Sequence, residues 1–114
     1  MSKHILFLLN PGFQDGDEGP FFCPHSAAME GLLKYVPEIE TKVEVRRVEF
    51  QRPRHEIIDL LGEENQNTPV LILDETTDNV PEAQTSTTTG RAFLVGEIEI
   101  SKFLSQDLGI MKPH

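Results

Sequence analysis

The stretch FFCPHSAAMEG, residues 21–31, holds the only cysteine of a 114-residue chain, with a proline directly behind it and a serine three places on. From Pro24 to Tyr35 the apolar residues fall at helical spacing. Ala28, Leu32 and Tyr35 form one stripe, and Met29, Leu33 and Val36 form its neighbour, most simply a core face. Pro37 ends the segment, and Pro24 suits a first helical position, where an N–H has no intrahelical partner. Cys23 is therefore expected at the N-cap, against free backbone N–H groups and the positive end of the helix dipole. Both favour thiolate over thiol, and the thiolate is the nucleophile. The competing reading is an inert, small apolar residue that happens to precede a proline.

Upstream, His4–Leu9 is a short apolar run closed by Asn10-Pro11-Gly12, as expected of a buried strand. The segment Phe13–Phe22, with Gly16, Gly19 and Pro20, is expected to be a loop beside the helix start; Asp15, Asp17 and Glu18 in it make a polar turn rather than a calcium site. Downstream, Val43–Phe50 mixes β-branched and charged residues with an alternation that slips between Val45 and Val48, which suggests an edge strand with a bulge. Pro53 opens a second helix with Ile57, Ile58 and Leu61 inward. Val70–Leu73 is a short strand after Thr68-Pro69, and Asp74–Gly90 is expected to be a long mobile loop. Arg91–Val95 gives a last strand and Ile98–Leu108 a closing helix, with Ile100, Phe103, Leu104 and Leu108 inward and Gly109 as its stop.

The predicted order is β-α-β-α-β-β-α, an α/β class with the first two strands parallel and the last two antiparallel, in a single domain over residues 1–114. A chain of this length buries roughly two thirds of its unfolded surface, enough for a core without metal or crosslinks. One cysteine excludes an internal disulfide, so disulfide chemistry needs an outside thiol. The net charge of −9 argues against nucleic acid and anionic lipid as partners. No apolar run is long enough to span a bilayer, and Met1-Ser2-Lys3-His4 leads into a strand rather than a signal peptide, so a cytoplasmic location is expected. His4, His25, His55 and His114 are scattered; no metal site is expected, and His25 is expected at the surface.

The element order, with Cys23-Pro24-His25-Ser26 at the first helix and Thr68-Pro69 before the third strand, resembles the thioredoxin fold in its short form. Glutaredoxins and the N-terminal domain of glutathione S-transferases are similar in layout. The phrases Phe22–Ala28, Arg52-Pro53-Arg54 and Asn65–Leu71 resemble an uncharacterised bacterial family of thioredoxin-like proteins, the domain of unknown function DUF3088. The resemblance implies a glutaredoxin-type βαβαββα fold with a four-stranded mixed sheet flanked by helices. It implies a catalytic set of Cys23, Pro24 and Ser26, with the Ser26 hydroxyl, one turn on, able to hydrogen-bond the thiolate.

Because Ser26 stands where many glutaredoxins carry a second cysteine, the resemblance implies a one-thiol oxidoreductase with glutathione as the resolving thiol and a small thiol or a protein thiol or disulfide as partner. Thr68 and Pro69 would form a cis-proline turn that offers backbone groups to glutathione. Glu97 would face its γ-glutamyl end, and Arg54, with Arg52 and Arg91 as rivals, its glycine carboxylate. A transferase with its own xenobiotic pocket is not expected. The alternative function is a non-catalytic binding module on the same fold, favoured by the acidic balance, which repels an anionic tripeptide.

Overall fold

The computed structural model describes residues 3–114. Met1 and Ser2, which begin the stretch expected to lead into the first strand, lie outside the described residues. The elements run β1 His4–Leu9, β2 Phe13–Asp15, β3 Glu18–Phe21, α1 Pro24–Tyr35, α2 Ile39–Lys42, β4 Val43–Val48, α3 His55–Leu61, β5 Val70–Ile72, β6 Gln84–Thr85, β7 Ala92–Val95 and α4 Glu97–Leu108. The main sheet is mixed, in the order β4-β1-β5-β7-β6. β1 and β4 are parallel, while β5, β7 and β6 pair antiparallel in turn.

Period-2 side-chain alternation divides the core between the two faces of this sheet. Leu6 and Leu8 of β1, Leu71 and Leu73, and Leu94 join Met29 and Leu33 of α1 with Ile100 and Leu104 of α4. Phe7 and Leu9, Val70 and Ile72, and Phe93 join Ile57 and Leu61 of α3. Residues Leu6 to Leu9 are buried on both faces, which explains a run with no polar alternation. In α1 the Met29, Leu33, Val36 stripe is core, and the neighbouring stripe runs out to an exposed Tyr35. His4 ties the first strand across the molecule: its Nδ1 accepts the Asp74 N–H at 2.9 Å, which puts the proton on Nε2, 3.1 Å from Asp107 on α4.

Four expectations are corrected. The sheet has five strands rather than four, because Gln84–Thr85 adds β6 to the β7 edge. Phe13–Phe22 is not an open loop but a hairpin, β2 with β3, pinned by Phe13 stacked on Phe50 at 4.3 Å. Val43–Val48 carries no bulge, since its pairing with β1 is continuous from His4↔Val43 to Leu9↔Val48. The apparent slip arises because Arg46 lies over the Phe7 ring while Arg47 reaches Glu30 on α1, so charged side chains cover both faces of the edge strand. Finally, the Thr-rich part of 74–90 is tied down. Ser86 is buried and its hydroxyl donates to the Leu61 carbonyl, and Thr89 donates to Leu60, each at 2.7 Å. Among the described residues no helix is long and apolar enough to cross a membrane.

Candidate thiol site

Cys23 is the N-cap of α1, with an extended backbone at φ −86° and ψ 115° and Pro24 opening the helix behind it. Its carbonyl accepts the Ala27 N–H at 2.9 Å, the first helical bond. Its sulfur accepts the Ser26 N–H at 3.4 Å, one of the donors that every helix start leaves without an intrahelical partner. The residue is half-buried and packs against the α3-facing core cluster, as Phe13 and Phe50 do.

Ser26 acts through its main chain. Its side chain lies on the buried face of α1, and its Oγ accepts the Leu9 N–H at 3.1 Å rather than bonding the sulfur. The cause is in the sheet: β1 pairs with β5 only as far as Phe7, so the Leu9 N–H has no strand carbonyl to meet and would be buried alone. The serine hydroxyl expected at the thiolate is thus used to finish the strand.

The Thr68-Pro69 peptide is cis, as the resemblance implied, and the Pro69 carbonyl accepts the Gly96 N–H at 3.1 Å. These residues line one wall of a groove of about 500 Å³ whose other wall is the start of α4. Glu97 stands there in the first turn, where the helix dipole favours a carboxylate. It pairs with His25 Nδ1 at 2.8 Å, a contact between residues 72 positions apart. His25 is exposed, as expected, but its partnership had no sequence signal. The groove therefore reaches α1 at His25, two residues past the cysteine.

The three candidate arginines differ. Arg52 is exposed and donates to Asn67 Oδ1, a groove residue, at 3.1 Å. Arg91 donates to the Leu73 carbonyl, and its Nε is buried with no hydrogen-bond partner among the described residues. Arg54 is only 8% exposed: its guanidinium donates to the Phe50 carbonyl through Nε and Nη2 and to the Gln66 carbonyl through Nη1, and it lies 5.7 Å from the centre of the Phe50 ring. It is therefore a strut between the loop before α3 and the loop before β5, not a free arm. No group of metal-ligating side chains occurs among the described residues, and Asp15, Asp17 and Glu18 sit around the turn of the hairpin.

A scan against family models matches residues 3–112 to the family described as "Protein of unknown function (DUF3088)", and the chain belongs to that family. No curated protein and no solved structure matches it.

Proposed function

We propose that this family member is a one-cysteine thiol–disulfide oxidoreductase on a thioredoxin-like scaffold, with Cys23 as nucleophile and glutathione or a similar small thiol as the resolving agent. The observation that carries the reading is the half-buried Cys23 at the N-cap of α1, its sulfur accepting the Ser26 N–H. The scaffold is supported by the sequence of strand directions, a parallel β1–β4 pair followed by antiparallel β5 and β7, and by the cis Thr68-Pro69 bond before β5.

In the reaction the Cys23 thiolate attacks one sulfur of a disulfide. The substrate S–S bond breaks, the other sulfur leaves as a thiolate with the electron pair, and a mixed disulfide to Cys23 remains. A second thiolate from solution then attacks the attached sulfur, forms a new disulfide with it and returns Cys23 as thiolate. Pro24 fixes the start of the helix and Ser26 supplies the N–H that meets charge on the sulfur. In this reading Thr68, before cis-Pro69, presents backbone groups to the attached thiol, Glu97 faces its ammonium group and Arg52 its carboxylate. One observation favours the other reading, a binding module: Glu97 and Glu99 both line the groove of a chain with net charge −9, which disfavours an anionic tripeptide.

Intact-mass analysis after incubation with glutathione disulfide tests the proposal. One mixed-disulfide adduct, released by reduced glutathione and missing in Cys23→Ser, is the expected result. A wild-type protein that takes up no adduct is a binding module or nothing of this kind.

A further inference from the structure

Residues 74–83, between β5 and β6, are fastened mostly to themselves. Asp74 Oδ1 accepts the Thr76 N–H and hydroxyl, the Asp74 carbonyl accepts the Thr77 N–H, and the Val80 carbonyl accepts the Ala83 N–H. Val80 and Ala83 lean on the core cluster beneath α1 and α4. Among the described residues one hydrogen bond joins this segment to the rest of the protein, from the Asp74 N–H to His4 Nδ1 at 2.9 Å. Between the segment and α4 lies a cavity of about 350 Å³, with Thr77, Val80 and Pro81 on one side and Phe103, Gln106 and Asp107 on the other.

His4 is only 7% exposed, with the Phe103 ring edge-on at 5.2 Å. A neutral imidazole has one acceptor nitrogen, and the Asp74 N–H uses it; the other nitrogen donates to Asp107. A proton added to Nδ1 turns that acceptor into a donor and sets it against the Asp74 N–H. Asp107 attracts the resulting cation, so the ring keeps its hold on α4 and loses its hold on Asp74. The other charged groups around the ring lie further out. Arg91, which donates to the Leu73 carbonyl, stands beside Asp74, and β4 sets the apolar Val43 opposite His4, between the exposed Lys42 and Glu44. The Asp74 carboxyl does not operate the joint near neutral pH. Hydrogen bonds from the Thr76 N–H and hydroxyl hold it below the usual carboxylate range, so it stays charged where histidines titrate.

We propose that His4 is a proton-operated latch: neutral, it fastens the root of segment 74–83 beside the α4 cavity, and on taking up a proton at Nδ1 it releases Asp74 while keeping Asp107. The element with two states is the root of the segment, and the charge change that biases it lies on one buried ring. The inference is independent of the thiol-exchange reading.

NMR of the nitrogen-15-labelled full chain from about pH 8 to about pH 5, following the ring nitrogens of His4 and the exchange of backbone amides, tests it. At the alkaline end Nε2 should carry the ring proton. As the ring titrates, the protection factor of the Asp74 amide should fall about tenfold with the same midpoint, while amides in β1 and β5 keep theirs. His4→Asn, whose side-chain oxygen can take the place of Nδ1 as acceptor and does not titrate, should show no such step at Asp74. A ring that stays neutral to the acid end overturns the latch, and so does a ring that titrates while Asp74 keeps its protection. A loss shared equally by β1 and β5 overturns it as well, since the opening is then global. The same step in a folded His4→Asn variant assigns the effect to another group and overturns it too. Should that variant not fold, the wild-type titration decides alone.

Discussion

The C-terminus of α3 and the N-terminus of α1 both leave backbone groups without helical partners, and the chain closes them in opposite ways. At α3 the Leu60 and Leu61 carbonyls are met by hydroxyls of Thr89 and Ser86, and Leu61 also by the Asn65 amide, from segments that fold back over the helix end. At α1 the Ser26 N–H is met by a sulfur, a weaker acceptor, on a residue left half-open. Oxygen donors inside a folded loop seal an end. A sulfur closes its end only loosely, so the same need of the backbone is met by a sealed turn in one place and, in the other, by the side chain proposed above as the nucleophile.

The comparison breaks most completely if Cys23→Ser retains activity. This variant is expected to lose all disulfide exchange while losing little stability, because serine is a good N-cap; a thiol-exchange assay beside a urea titration measures both. Next comes the sealed end. Ser86→Ala removes a buried donor from Leu61 and the acceptor for the Thr88 and Thr89 N–H groups, and should cost about 1–3 kcal/mol in urea unfolding, with faster amide exchange in that turn. Ser26→Ala should cost a similar amount, roughly 1–3 kcal/mol, by stranding the Leu9 N–H, yet should leave the alkylation rate of Cys23 nearly unchanged because the main-chain contact to sulfur survives. A large fall in that rate would show that the hydroxyl, not the backbone, serves the thiol.

The smallest effect is expected at the Glu30–Arg47 pair, which ties α1 to the edge strand. The side-chain hydrogen bond from Arg47 holds the Glu30 carboxyl below its usual range, against an opposing effect of burial. A depressed folded value means stability that is present above the unfolded carboxylate range and lost as the pH falls through the folded value. Both side chains are more than a third exposed, so Glu30→Gln should cost only about 0.2–1 kcal/mol at neutral pH. The difference from wild type should vanish in acid. A difference that persisted at acid pH would point to lost packing instead.

Much of the scaffold is legible because its signals are local. The span of α1, its N-cap and its buried stripe follow from proline positions and helical spacing over a dozen residues. The β1 run and the Gly109 stop, at φ 70°, are equally short-range features. The hairpin β2–β3 was hidden because its strands have only three and four residues, none of them β-branched, and β3 carries a glycine and a proline. The seal on α3 did have a signal, a run of hydroxyl residues from Thr85 to Thr89, but nothing in the run says which carbonyls it meets. At the candidate site, Cys23 and the cis Thr68-Pro69 bond were readable; the fate of the Ser26 hydroxyl and of Arg54 was not.

By itself the sequence determined the spans of α1 and α4, which residues alternate into a core, and that a single sulfur stands at a helix start, since these depend on neighbours within a few positions; the start of α3, expected at Pro53 and found at His55, and the short α2 were not legible. Only the tertiary structure decided that Arg54 is buried against carbonyls, that His25 meets Glu97, that Ser26 finishes β1 and that Gln84–Thr85 joins the sheet. Each of those depends on a partner that the fold brings near, and a backbone or charged group takes whichever partner lies within hydrogen-bond reach once water has been excluded.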